Sequence, residues 1–92
     1  MSLDTLVMET IHALEIQRQE VSPLVVKATI QVARHLVTVH DGLAGDALVE
    51  SVVLHLRKRH VLLSRPVARA VLATYVRVVS ELEVVEICDT LT

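Results

Sequence analysis

Apolar residues return every three or four positions through nearly all of this chain. That is the repeat of a helix buried along one side. The densest stretch is Pro23 to Val39, PLVVKATIQVARHLVTV, where ten of seventeen residues are apolar. Its polar positions, Lys27, Gln31, Arg34 or His35, and Thr38, fall in steps of four, three and four. Those steps trace one narrow stripe, so the rest of this helix needs neighbours on several sides. The pattern predicts a central helix with the remaining chain wrapped around it.

Three more helices follow from the same repeat. Leu3, Val7, Ile11 and Leu14 mark the inner face of a first helix over about 3–18, widened by Leu6, Ala13 and Ile16. Asp4, Glu9, His12, Glu15 and Gln19 take its outer face. Val21-Ser22-Pro23 is a start signal: Ser22 as N-cap, Pro23 where no N–H is needed, Val21 and Val26 at the staple positions. This second helix runs to about His40. Asp41 to Asp46 holds both glycines and breaks the chain. Gly42 fits a left-handed turn with Leu43 folding back, and Asp46 suits the start of a third helix over 46–60. Leu48, Val49, Val52, Val53 and Leu56 would face inward, and Arg57-Lys58-Arg59-His60 would close the last turn. Ser64-Arg65-Pro66 repeats the start signal and opens a fourth helix over 65–88.

In that last helix Ala68, Val71, Tyr75, Val78, Leu82 and Val85 alternate by three and four, as in a coiled-coil seam. Leu72, Val76 and Val79 form a second apolar line beside it. Two lines predict two neighbours, or one neighbour and another subunit. The valines of 75–85 also allow a C-terminal strand or hairpin, but the helical repeat persists without a turn signal. The expected fold is all-α and single-domain over 1–92: a four-helix antiparallel bundle or two packed helical hairpins. Pro23 and Pro66 are offset by 43 residues, as are His12 and His55, and Arg34 and Arg77, which favours the paired hairpins.

Composition sharpens this. The apolar fraction is 52% and the only aromatic residue is Tyr75, so the core must be aliphatic. Stacking on bases is therefore disfavoured. The net charge of −2 points to no partner. No apolar run approaches the roughly 20 residues of a membrane span, and no membrane partner is expected. No basic leader precedes Asp4 and Glu9, and Cys88 is the only cysteine. Both fit a cytoplasmic chain without disulfides.

Candidate chemistry is sparse. Arg57, Lys58, Arg59, Arg65, Arg69 and Arg77 are six cations with no acid between them, a candidate patch for phosphates of nucleic acid or another anion. Glu81, Glu83, Glu86 and Asp89 make the opposite charge at the other end of the same helix. An antiparallel pair of fourth helices would bring the two halves together. Histidines His35 and His40, and His55 and His60, are each five apart, about 140° around a helix, so neither pair shares a face. Glu9 to His12 has the Glu-x-x-His spacing of di-iron bundles but no second copy. Cys88 lies in an acidic stretch that disfavours the thiolate, no serine sits in an elbow motif, and two glycines cannot make a phosphate loop. No cofactor is expected. The length is similar to small helical chorismate mutases, but their inward cations along the first helix have no equivalent, and the short–long–short pattern of histone folds is absent. The leading expectation is a non-enzymatic interaction or regulatory module, homodimeric through the fourth-helix seam and binding a protein partner. The alternatives are a DNA- or RNA-binding regulator using Arg57 to Arg77, and a small helical enzyme or metal-binding bundle.

Overall fold

The computed structural model describes residues 3–91, with side chains described as far as residue 82. It contains α1 (Leu3–Ile16), α2 (Pro23–Val39), α3 (Gly45–Lys58) and α4 (Arg65–Leu91). Among the described residues there is no strand, and α4 stays helical through the valine-rich stretch. As far as Leu82 the helical burial repeat therefore outweighs the strand preference of valine. The helices form a flattened four-helix bundle. α2 and α4 each touch every other helix, whereas α1 and α3 do not touch each other.

Helix starts follow local chemistry. Pro23 opens α2 after Ser22, whose carbonyl accepts from Val26 N–H at 3.0 Å, although its hydroxyl makes no cap. Ser64 does cap α4: its hydroxyl accepts from Val67 N–H at 3.4 Å. Asp46 is a first-turn acid of α3. Gly42, at φ 81°, occupies the third position of a turn closed by Leu43 N–H to His40 C=O at 3.3 Å. A side chain there resists that φ.

Two helix ends depart from the glycine rule. α1 ends with Arg18 at φ 60° and α3 with His60 at φ 64°. In each, one N–H reaches back five residues and the one before it reaches back three. The pairs are Gln19 to Leu14 and Arg18 to Glu15, then Val61 to Leu56 and His60 to Arg57, all at 2.9–3.0 Å. This is the Schellman motif, built here without glycine. At α3 its hydrophobic contact is also present, because Val61 packs into the cluster that holds Leu56. The two hairpins thus share a design: helix, Schellman end, Ser and Pro, helix.

The core has two parts. One joins Val32, Ala33 and Leu36 of α2 to Val49, Val52, Val53 and Leu56 of α3 and to Ala68 and Leu72 of α4. The other joins Val7 and Leu14 of α1 to Val26 and Ile30 of α2 and Val71 of α4. Both draw on α2 and α4, so these two helices carry the fold. Three threonines are buried among the aliphatics. Thr10 and Thr29 satisfy their hydroxyls on the carbonyls of Leu6 and Val25, each at 2.7 Å. Thr74 accepts from the Gln17 amide at 3.4 Å. Back-bonding of this kind keeps a buried hydroxyl paired without a tertiary partner.

α4 runs from α3 to α1. Its ion pairs Arg65–Glu50 (2.9 Å) and Arg69–Asp46 (2.8 Å) step forward on α4 and back on α3, which fixes an antiparallel register. Further along, Thr74 meets Gln17, and Arg77 to Leu82 face Glu9 to Ile16 of α1.

Candidate functional site

The described part of the fourth-helix seam, Ala68 to Leu82, faces the rest of this chain. Ala68, Val71 and Val78 are buried, and Tyr75 and Leu82 are half-buried. Val71 joins the cluster shared with α1 and α2, while Val78 packs beside Ala13 and Ile16. The Val85 side chain lies outside the described residues, as do those of Glu83, Glu86, Cys88 and Asp89. A spacing of three and four marks an inward face but cannot say whose helix covers it. Here α1 and α2 do.

The second apolar line stays partly open. Leu72, Tyr75, Val76 and Val79 of α4 face Ala33, Arg34, Val37 and Thr38 of α2 across a groove of about 450 Å³. Leu6 of α1 and Leu48 of α3 complete its lining. Val37 is 46% and Val76 60% exposed. The size falls within the usual range for a ligand or side-chain pocket, and the lining is mostly apolar. Arg34 is its only charged residue. The Thr38 hydroxyl donates to the Arg34 backbone carbonyl at 2.8 Å. Among the described residues no carboxylate pairs with the guanidinium.

The six-cation patch is divided. Arg65 and Arg69 are held by Glu50 and Asp46, and Arg77 lies 4.0 Å from Glu81 on its own helix. Acids absent between the cations in sequence come from the facing turns of α3 in space. Arg57, Lys58 and Arg59 remain, all exposed at the end of α3, with no ion pair among the described residues. Arg57 lies seven positions after Glu50, or about 10 Å along the helix. The surviving cluster therefore stands apart from Arg65.

Among the described residues no group of three His, Cys, Asp or Glu converges in a way that could hold a metal ion. The chain matches no family model, no curated protein and no solved structure.

Proposed function

We propose that this protein is a non-enzymatic interaction module that receives an amphipathic helix of a protein partner in the groove between α2 and α4. One observation carries the reading: an open, largely apolar groove whose one charged lining residue, Arg34, has no ion pair among the described residues. A helix laid in such a groove buries side chains at i, i+4 and i+7. An acidic residue beside that stripe would complement Arg34. Because Ala68, Val71 and Val78 are buried within the chain, this reading does not rest on a dimer through the α4 seam. Of the six cations of the basic patch, Arg57, Lys58 and Arg59 are the three without an ion pair among the described residues, which weakens the nucleic-acid reading.

A displayed library of amphipathic helical peptides, selected on the wild-type protein and compared with Val76→Lys, tests this. Enriched sequences should be apolar at i, i+4 and i+7, carry Asp or Glu, and lose binding to Val76→Lys. No enrichment, or enrichment equal on both proteins, would contradict it.

A further inference from the structure

The corner between α3 and α4 has a different character from the groove. Arg57 and Lys58 end α3 and Arg59 is its C-cap, making three consecutive exposed cations. The Schellman turn at His60 then sends the chain back along the bundle. In the connection Val61 and Leu63 pack into the aliphatic cluster of α2, α3 and α4. Leu62, between them, is driven outward and is 85% exposed. Its exposure is thus built in: the residues on either side are anchored, so Leu62 cannot turn inward without uprooting both. Leu54 is also exposed, three and four residues before Arg57 and Lys58, and so shares their helix face.

We infer that this corner is a contact surface for an anionic lipid bilayer, with Arg57, Lys58 and Arg59 on the headgroups and Leu62 set among them. Cations near an anionic leaflet attract it, and an apolar side chain at headgroup depth adds burial that water cannot offer. Phosphates of a duplex would satisfy the cations but leave Leu62 and Leu54 in water. At 85% exposure Leu62 suits a flat surface. The contact is peripheral: among the described residues no helix is long and apolar enough to cross a membrane.

Co-sedimentation with vesicles tests it, comparing phosphatidylcholine alone with an equal mixture of phosphatidylcholine and phosphatidylglycerol at low ionic strength. The wild-type protein should sediment only with the anionic mixture and be released by added salt. Changing Arg57, Lys58 and Arg59 together to Gln should weaken partitioning about 100-fold, and Leu62→Ser about tenfold. Arg77→Gln should leave it unchanged. All these positions are exposed, so circular dichroism should show the same helicity. Failure to sediment with the anionic vesicles would overturn the inference, as would full retention by Leu62→Ser. Tighter, Arg57-dependent binding to a DNA duplex would reassign the corner to nucleic acid.

Discussion

At the scale of single residues, the unusual positions are the left-handed Arg18 and His60. A residue with a Cβ gives up about 1–2 kcal/mol in this conformation. Glycine would recover that, less about 0.5–1 kcal/mol for its freer unfolded chain. Arg18→Gly and His60→Gly should each raise stability by about 0.5–1 kcal/mol in urea unfolding, with an unchanged slope. Gly42→Ala and Gly45→Ala should move it the other way by about 1 kcal/mol. At both glycines an added Cβ meets nothing within 4 Å, so only the positive φ is tested. A loss of stability in Arg18→Gly or His60→Gly would mean their side chains contribute more than the turn costs. These two ends were not legible in the sequence, because nothing in QRQE or RKRH marks a left-handed residue. Burial of Thr10 and Thr29 was hidden too, since back-bonding satisfies a hydroxyl without altering the apolar repeat.

At the scale of elements, the four helices could be read from periodicity, the Ser and Pro starts and the glycine break, with ends shifted by three residues or fewer. The neighbours of each face could not. Val76 and Val78 are two residues apart on α4, yet one is 60% and the other 6% exposed. Val78→Lys should therefore destabilise by more than about 4 kcal/mol, since it buries an unpaired charge. Val76→Lys should stay within about 0.5 kcal/mol of wild type. Thermal melts followed by circular dichroism separate the two, and equal melting would contradict the packing of α4 on α1. The basic stretch teaches the same lesson. The absence of acids between Arg57 and Arg77 in sequence said nothing of Glu50 and Asp46, which the antiparallel register brings opposite Arg65 and Arg69. Such exposed pairs contribute about 1 kcal/mol or less, so their main effect is to spend charge otherwise free for an anion.

For the whole molecule, α2 is central as its composition predicts, since it touches α1, α3 and α4. It is not enclosed, however. Leu24, Val37 and Val39 are exposed, and part of that open side is the groove shared with α4. The helix that organises the core therefore also supplies one wall of the candidate site. With the α4 seam already buried, light scattering after size exclusion should give the monomer mass of 10.2 kDa at micromolar concentration. A dimer dissociated by Val76→Lys would make a second copy the occupant of the groove, and a dimer unaffected by it would place self-association elsewhere. The most direct test of the central claim is a titration of isotope-labelled protein with a peptide selected as above, followed by amide chemical shifts. The account predicts that the changes gather at Ala33, Arg34, Val37, Val76 and Val79. Changes gathered instead at Arg57 to Leu62, or along the outer face of α1, would contradict it.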